Sequence, residues 1–494
     1  MFNQLKQDEF LKLAKVHGRI MVHKEILGDC MTPIHIYHAL KAHMLGASLL
    51  ESSPKEKNLG RYSFLGFTVL SEFKVKNNQI TIKNAKENHE VNSCTPLEAL
   101  RAFHHDTCAY TDPVLSGFVG GIVGFFSFES ACLFEATLPK FTEPSDFPEI
   151  QFKCYRDHII FDQKTGQVFI ATLVEVGNAA SDATLLYQQA IMRLDNFVQE
   201  ILKAPHHEDK PSAQHVPMDL QVSLDDPAYI AAGQKAKDHI ALGDAFQIVL
   251  ARTFKARYTA NPFDIYRLLR LRNPSPYMFY INDTDRVICG ASPEKMISVQ
   301  NGRVQSCPLA GTRPRGEAYC DETQASDLLA DTKEVAEHMM LVDLARNDLG
   351  RVAKPKGVSV PVLQQIQYFS HVMHISSTVE AELAAGKDAL DALCASFPAG
   401  TLSGAPKIRA MQIIHELEAS PRELYGGVIG FLDSRGNLDS CIAIRMAVLQ
   451  QGIAKVSAGA GIVMDSDLQK EADETRYKAN AILEAIDLAG RGIQ

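Results

Sequence analysis

The sequence YMFYINDTDRVICGASPEKMISVQNGRVQSC, residues 277–307, carries the clearest indication of the fold class. It contains four short runs rich in apolar and β-branched residues, separated in two places by the turn sequences NDTD and QNG; the runs are 277–281, 286–289, 296–299 and 304–307. Short strands joined by tight turns are typical of an antiparallel meander. The stretch therefore predicts antiparallel strands.

The chain on either side of this stretch mixes helices and strands in blocks. Long helical windows are predicted at 322–349 and 465–489. Further strand-like runs are predicted at 372–379, 427–431, 442–449 and 454–458. Blocks of strands and helices, as opposed to strict alternation, favour an α+β fold over a parallel dinucleotide-binding sheet.

A polar segment, KAPHHEDKPSAQHVPMD at 203–219, contains three prolines and indicates a surface connector. We therefore divide the chain into an N-terminal region (1–203), a linker (204–222) and a C-terminal region (223–494) in which the candidate functional residues are concentrated.

Composition excludes several classes of function. The chain has 494 residues and a formal net charge of −9, with basic residues scattered among acidic ones. No basic stripe is available for a nucleic-acid backbone. The charged N-terminus is unlike a secretory signal, and no segment approaches 18 consecutive apolar residues. We expect a cytoplasmic protein without membrane or nucleic-acid partners.

Two pairs of acidic residues lie on predicted helices. Glu334 and Glu337 share a helical face with the apolar residue Leu341, and Glu471, Glu474 and Lys478 form a stripe at the edge of another apolar face. A buried carboxylate needs a cationic partner or a raised pKa. For the first pair that partner could be Arg346 or His338; alternatively, both pairs could hold Mg²⁺ together with an anionic substrate.

Three segments rich in glycine and hydroxyl groups could bind an anion. They are PLAGTRPRG (308–316) with Gly311 and Thr312, FPAGTLSGAPK (397–407) with Thr401, and SAGAGIV (457–463) with Gly459 and Gly461. We interpret each as a loop, and each alone could be a structural turn. Their occurrence in the same region as both acidic pairs favours a site for a small polyanion.

The whole chain resembles the anthranilate synthase component I family of chorismate-utilising enzymes. The matching motifs are LLESS (49–53), NPSPYMFY (273–280), GASPE (290–294), PLAGTRPRG (308–316), KEVAEHMMLVDLARNDLGRV (333–352), HVMH (371–374), GTLSGAPKIRAM (400–411), YGG (425–427) and AGAGIVMDSDLQKEADETRYKA (458–479). The resemblance implies an α+β fold of two stacked antiparallel β-sheets wrapped by helices. It also implies chorismate and Mg²⁺ in a cleft of the C-terminal region.

The resemblance assigns roles to individual residues. It implies that Glu337 and Glu474 bind Mg²⁺ directly, while Glu334 and Glu471 support the metal through water. The implied catalytic residues are Glu294, as general acid for a departing hydroxyl, His374, for pyruvate elimination, and Thr401. The implied chorismate contacts are Gly311, Thr312, Tyr425, Arg445, Gly459, Ala460, Gly461 and Lys478.

The implied reaction adds ammonia to C2 of chorismate, expels the C4 hydroxyl and eliminates pyruvate to give anthranilate, the first committed step of tryptophan biosynthesis. Related enzymes that use water or form aminodeoxychorismate carry a lysine where this chain has Gln247 or Ala310. The alternatives are an aminodeoxychorismate synthase component I and a non-catalytic tryptophan-sensing subunit.

The family also implies regulation and a partner. The expected tryptophan contacts are Glu51, Ser52, Pro276, Tyr277 and Met278. No glutaminase motif occurs in the chain, so ammonia is expected from a separate glutamine amidotransferase subunit, in a heterotetramer of two large and two small subunits.

Overall fold

The computed structural model describes residues 3–52, 61–84, 87–115, 117–118, 120–139, 145–177, 182–205, 218–316, 319–369, 372–418 and 420–492. Within these ranges the chain forms eleven α-helices and twenty-two β-strands. The helices are α1 (Gln7–Leu13), α2 (Pro33–Ala39), α3 (Pro96–Thr107), α4 (Ala183–Lys203), α5 (Asp226–Ala241), α6 (Pro262–Arg272), α7 (Asp321–Ala330), α8 (Thr332–Gly350), α9 (Ala389–Ser396), α10 (Lys407–Leu417) and α11 (Leu468–Arg491).

The strands are β1 (Arg19–Leu27), β2 (Ser48–Glu51), β3 (Tyr62–Lys76), β4 (Gln79–Asn84), β5 (Asn88–Val91), β6 (Ile122–Phe126), β7 (Ile150–Asp162), β8 (Gln167–Glu175), β9 (Leu220–Val222), β10 (Gln247–Arg257), β11 (Tyr277–Asn282), β12 (Val287–Ser292), β13 (Lys295–Gln300), β14 (Arg303–Ser306), β15 (Leu309–Pro314), β16 (Ala353–Tyr368), β17 (Val372–Leu383), β18 (Gly404–Ala405), β19 (Val428–Leu432), β20 (Leu438–Ile442), β21 (Met446–Gln450) and β22 (Ile453–Ile462).

Two antiparallel sheets share the long strands β3 and β7. The first sheet has the order β1-β8-β7-β3-β2-β11-β12-β21-β22-β10, with β9 and β18 also paired to β10. The second has the order β5-β4-β3-β7-β6-β19-β20-β13-β14-β17-β16, with β15 also paired to β17. The predicted antiparallel α+β class is confirmed, and both sheets belong to one hydrogen-bonded network.

The predicted meander is two hairpins in different sheets. Strand β12 pairs with β11 and β21 in the first sheet, whereas β13 pairs with β14 and β20 in the second. In the second hairpin Asn301 and Gly302 both have positive φ, 51° and 78°. Such values at both turn positions suit the right-handed twist of the strands. The chain therefore crosses between the sheets at 293–294, within the motif GASPE.

Three predicted elements differ from the structure. The helical window 322–349 is two helices, because the Asp331 side chain accepts the backbone N–H groups of Lys333 and Glu334 and starts α8. The strand-like run 442–449 is interrupted at 443–445, between β20 and β21. The segments around Gly311 and Gly459, interpreted as loops, lie within strands β15 and β22.

The N-terminal and C-terminal regions share strands. Strand β2 pairs with β11, and β6 pairs with β19, so each sheet contains strands from both regions. Of the proposed linker, 206–217 lie outside the described residues, and its end forms β9. No helix in the described ranges is long and apolar enough to cross a membrane. The domain boundaries stay a prediction.

Candidate active site

Two crossings between the sheets run side by side and carry two of the predicted site residues. The first crossing joins β12 to β13 and contains Glu294; the second joins β20 to β21 and contains Arg445. The Ile442 N–H donates to the Glu294 carbonyl at 3.0 Å, and the Ala291 N–H donates to the Arg445 carbonyl at 3.0 Å. Arg445 has a φ of 50°, which is uncommon for a non-glycine residue. The fold thus fixes the two side chains near each other.

Glu294 borders a cavity of about 530 Å³ together with Thr401 and the α8 residues Leu341 and Leu344. The Thr401 hydroxyl donates to Oε2 of Glu294 at 3.1 Å. Burial raises the pKa of Glu294, while Thr401 and the positive charges of Lys478 and Arg445 oppose the rise. A raised pKa favours the protonated carboxyl that a general acid requires.

The Arg445 guanidinium has no hydrogen bond or ion pair to any residue in the described ranges. Burial lowers the pKa of Arg445, and the nearby groups that raise it include Tyr425, Glu294 and Glu474. A guanidinium that is desolvated and unpaired offers its planar fork to a carboxylate ligand. Arg445 is therefore positioned for an acidic substrate.

His374 lies on β17, beside Gly311 and Thr312 of β15. Its Nδ1 is 2.7 Å from the Gly311 carbonyl and 3.1 Å from the Thr312 hydroxyl. A carbonyl can only accept, so Nδ1 carries the proton in the neutral ring and Nε2 keeps its lone pair. Burial lowers the pKa of His374, although the bond to Gly311 opposes the shift. His374 is thus a neutral imidazole with one basic nitrogen.

Glycines on β22 allow other groups to approach the strand closely. A Cβ at Gly459 would lie 3.1 Å from the Tyr425 hydroxyl, and one at Gly461 would lie 2.5 Å from Nε2 of Gln247. Ala460 lies between them, so its side chain points to the opposite face, where it is 1% exposed. The prediction of Ala460 as a substrate contact therefore applies only to its backbone.

Carboxylates of α8 and α11 influence each other electrostatically. Burial raises the pKa of Glu337; the negative charges of Glu334 and Glu474 raise it further, and Lys333 lowers it. Burial and Glu474 likewise raise the pKa of Glu471. The two helices therefore bring both predicted acidic pairs to one place.

The proposed structural partners of the first acidic pair are engaged elsewhere. Arg346 pairs with Asp343 at 2.8 Å, and Nε2 of His338 is 2.6 Å from the Ser377 hydroxyl. Glu334 instead lies 3.5 Å from Arg313. Within the described ranges, no three acidic, histidine or cysteine side chains are grouped tightly enough to hold a metal alone.

Lys478 contacts both Glu474 of the second acidic pair and strand β22, which carries Gly459 and Gly461. Its Nζ lies 2.6 Å from Glu474 and donates to the Gly459 carbonyl at 3.0 Å. Gln469 and Asp473 are exposed on the other face of α11, as the helical periodicity predicted. The structure thus brings together all the predicted metal, catalytic and substrate residues except the Ala460 side chain, while their roles stay predictions.

A second cavity, of about 820 Å³, is lined by all five residues predicted to contact tryptophan. The Glu51 carboxylate is held by Tyr266 at 2.5 Å and by Arg270 at 3.0 Å, and the Ser52 hydroxyl donates to the Pro276 carbonyl. The five predicted contacts therefore share one cavity.

Two charged residues of the second cavity were not predicted from the sequence. Arg61 and Asp439 both line it, and Asp439 accepts a hydrogen bond from Tyr277 at 3.1 Å. Burial raises the pKa of Asp439. No local signal could have identified either residue: the alternation of β20 places Asp439 on the face opposite Leu438 and Ile442, and that face is buried only by tertiary contacts.

Known proteins resemble this chain over nearly its whole length. Residues 46–484 match the family of chorismate binding enzymes. "Anthranilate synthase component 1" of Streptomyces coelicolor is 39% identical over 96% of this chain and 90% of its own length. The Bacillus subtilis protein of the same description is 38% identical over 97% of this chain and 94% of its own length.

Solved structures show the same fold. Anthranilate synthase component I from Streptococcus pneumoniae superposes with a TM-score of 0.74 at 36% identity, covering 92% of this chain and 98% of that one. The menaquinone-specific isochorismate synthase from Escherichia coli has a TM-score of 0.70 at 18% identity, covering 97% and 98%, and so shares the fold. The chain belongs to the chorismate-binding enzymes and, among them, to the anthranilate synthase component 1 family.

Proposed function

We propose that the chain converts chorismate and ammonia to anthranilate and pyruvate in a Mg²⁺-dependent reaction, as the first committed step of tryptophan biosynthesis. The observation that carries this proposal is the proximity of Arg445 to both Glu294 and His374, since its positive charge lowers the pKa of each. The space among these three side chains is the cleft. An acid, a carboxylate-binding cation and a neutral base are the groups that the two chemical stages need. The family membership supports the same reaction.

The cleft offers complementary charges to a dicarboxylate. Arg445 would bind one carboxylate of chorismate with its fork, next to the Tyr425 hydroxyl at Gly459. Lys478 supplies a second positive charge beside Gly459. Substrate binding would then be strongest for a rigid ring with two separated carboxylates.

The acidic pairs fit Mg²⁺ in the presence of substrate. Glu337 and Glu474 would bind the ion, and Glu334 and Glu471 would support it through water. The fit rests on the electrostatics of Glu337: burial raises its pKa, and the negative charges of Glu334 and Glu474 raise it further, so a cation beside these groups would be stabilised. Mg²⁺ commonly takes one or two carboxylates and keeps room for water and ligand oxygens. When bound, it would neutralise and orient the ring carboxylate.

Glu294 would act in the first stage. Its Oε2 accepts the Thr401 hydroxyl, which leaves Oε1 to hold a proton toward the substrate. Ammonia bonds to C2 of chorismate, the ring double bonds shift, and the C4–O bond breaks as Glu294 gives its proton to the departing hydroxyl. Water and an amino intermediate result, and Glu294 is left ionised between Lys478 and Arg445, whose charges stabilise it.

His374 would act in the second stage. Its unprotonated Nε2 can take the proton from C2 of the amino intermediate, after which the C3–O bond breaks and the ring becomes aromatic. The enolpyruvyl group leaves and takes up a proton to become pyruvate. The bond from Nδ1 to Gly311 orients the ring for this step and stabilises the imidazolium that forms.

The pH profile should report on His374. Since burial lowers its pKa below the ordinary 6.5, the imidazole stays neutral above pH 6.5 and protonates only at more acidic pH. We therefore expect the rate of pyruvate release in the wild type to fall along an acid limb centred below pH 6.5. His374→Gln should lack this limb and release the amino intermediate, as seen by product mass. An unchanged acid limb in the variant would contradict the assignment.

The second cavity would bind tryptophan as a feedback inhibitor. Its walls are largely apolar and aromatic, and Asp439 carries a charge opposite to the ammonium of an amino acid. Arg61 also lines the cavity, but its guanidinium pairs with Asp162 at 2.8 Å. Because the Glu51 carboxylate is already held by Tyr266 and Arg270, we assign to Glu51 a role in shaping the cavity.

Filling this cavity should weaken inhibition by tryptophan without affecting catalysis. Ser52→Phe places a ring where the Ser52 hydroxyl meets the Pro276 carbonyl, so tryptophan should inhibit the variant at least about tenfold more weakly, about 1.4 kcal/mol in binding. Turnover without tryptophan should equal that of the wild type, because the cavity is separate from the cleft. Full inhibition of Ser52→Phe would show that tryptophan binds elsewhere.

Ammonia would be supplied in the cell by a glutamine amidotransferase subunit, in a heterotetramer of two large and two small subunits. The designation of the relatives as a component 1 supports a partner chain.

The proposal is tested by adding chorismate, MgCl₂ and ammonium sulfate at alkaline pH to the purified chain. Anthranilate fluorescence should rise, with pyruvate formed in equal amount and with strict dependence on Mg²⁺. Aminodeoxychorismate as the product would instead identify the folate-pathway alternative, and no conversion of chorismate would support the non-catalytic one.

A further inference from the structure

A buried ion pair lies behind the cleft, between Glu418 at the end of α10 and Arg422. The Arg422 guanidinium binds both carboxylate oxygens, with Nη2 at 2.6 Å from Oε1 and Nε at 2.8 Å from Oε2. The side chains are only 3% and 7% exposed. The guanidinium also lies 4.4 Å from the ring centre of Phe128. The pair is therefore held in one geometry.

The remaining hydrogen bonds of the pair go to the backbone of segments that carry site residues. Nη1 of Arg422 donates to the Leu402 carbonyl at 2.6 Å, and Leu402 follows Thr401. Nη2 donates to the Val249 carbonyl at 2.7 Å. Glu418 accepts the Ala251 N–H at 2.8 Å.

The two β10 residues that bind the pair lie opposite strand β22. Val249 is paired with Gly461, and Ala251 is paired with Gly459. Arg422 itself begins the turn that presents Tyr425, because the Tyr425 N–H donates to the Arg422 carbonyl at 3.2 Å. Three separate parts of the cleft are thus tied to one guanidinium–carboxylate pair.

The turn is fixed from the N-terminal region as well. The Arg422 N–H donates to Glu129 at 2.7 Å, and Glu129 follows strand β6. A planar guanidinium with donors at fixed angles can satisfy a carboxylate and two carbonyls together, which a flexible ammonium cannot do. The geometry therefore depends on arginine and not only on positive charge.

We propose that Arg422, through its pair with Glu418, is a positioning residue that aligns Tyr425 with the β10–β22 wall and Thr401 with Glu294. This inference rests on the proposed function, because it assigns Tyr425 to substrate binding and Thr401 to the acid step. Arg422 touches neither the cleft nor the substrate in this role. Its effect on kinetics is transmitted through the backbone of the two segments.

A positioning role and a purely structural role for Arg422 predict different kinetics for a folded variant. A buried ion pair is weak evidence for stability, although removal of one partner usually destabilises the protein because the other charge stays buried and unpaired. A structural pair would change the melting temperature and leave the folded enzyme with normal kinetics. A positioning pair changes kcat and KM of the folded enzyme.

The test compares Arg422→Lys with Arg193→Lys. Arg193 makes a similar two-oxygen pair with the buried Asp157, tying α4 to β7 away from the cleft. Both variants are assayed well below their melting temperatures. We expect Arg422→Lys to raise KM for chorismate about tenfold and to lower kcat about tenfold, since a misplacement of about 1 Å can cost a hundredfold in total rate. Arg193→Lys should keep wild-type kcat and KM.

Normal kcat and KM in folded Arg422→Lys would overturn the proposal. If that variant does not fold, the double variant Glu418→Leu/Arg422→Met removes the pair without leaving a buried charge unpaired, and the same kinetic losses are expected in it. Calorimetric titration with chorismate and Mg²⁺, without ammonium, separates this question from the reaction itself: about tenfold weaker binding in Arg422→Lys supports positioning even if wild-type product is not anthranilate, and equal binding contradicts it.

Discussion

Glu294→Gln should lower kcat for anthranilate formation by about 10²–10⁴-fold, the usual range for loss of a general acid. The amide keeps the size of the side chain and can still accept the Thr401 hydroxyl, but it has no proton to give to the departing hydroxyl. Because the carboxyl is replaced by a neutral isostere, the fold should persist. Steady-state fluorescence assays and circular dichroism measure the two effects separately.

A matched control is Glu25→Gln, since Glu25 is a buried glutamate in β1 that accepts hydrogen bonds from Asn3 and Gln167. This variant should keep wild-type kcat. If Glu294→Gln retained more than about a tenth of wild-type kcat, proton donation by Glu294 would be excluded.

Glu337→Gln and Glu474→Gln should each reduce activity at physiological Mg²⁺ by at least about a hundredfold, because each removes a negative oxygen ligand from the proposed ion. Glu334→Gln and Glu471→Gln, which alter supporting groups, should instead weaken the apparent Mg²⁺ affinity by about 10–100-fold. Activity measured against MgCl₂ concentration distinguishes the two classes: excess Mg²⁺ restores activity in the second class.

The control for α11 is Asp473→Asn, because Asp473 lies on the exposed face of the same helix and pairs with Arg476. Its Mg²⁺ dependence should match the wild type. Mg²⁺-dependent activity that survives in both Glu337→Gln and Glu474→Gln would show that the metal, if required, binds at another place.

The sequence predicted the elements that follow local patterns. Helical periodicity placed Glu471 and Glu474 on the inner edge of α11 and Gln469 on its surface. The structure has Glu471 half-buried and Gln469 exposed, as predicted, whereas Glu474 is also exposed. The turn QNG predicted the β13–β14 hairpin, because consecutive positive φ values suit Asn and Gly. Helical periodicity and turn sequences depend only on residues close together in the chain, so the folded structure preserves what they predict.

Features that depend on contacts between residues far apart in the chain could not be predicted from the sequence. The crossing at Glu294 looks like a turn within one meander, and only the pairing of β12 with β21 and of β13 with β20 separates the hairpins. The break between β20 and β21 at 443–445 falls within an apolar run, so the sequence does not show it. Tertiary contacts decide where a strand changes sheet. The contacts of Arg422 join residues up to 293 positions apart, and no local sequence pattern indicates them.

The central claim is that the cleft between Glu294, Arg445 and the acidic pairs binds chorismate. A crystal structure of the Glu294→Gln variant with chorismate and Mg²⁺ tests it most directly, because the substrate should persist in a variant that turns over slowly. We predict electron density for the ring beside residue 294, a carboxylate at Arg445, and a metal peak between Glu337 and Glu474. Chorismate bound in the second cavity, or a metal peak away from these carboxylates, would contradict the account.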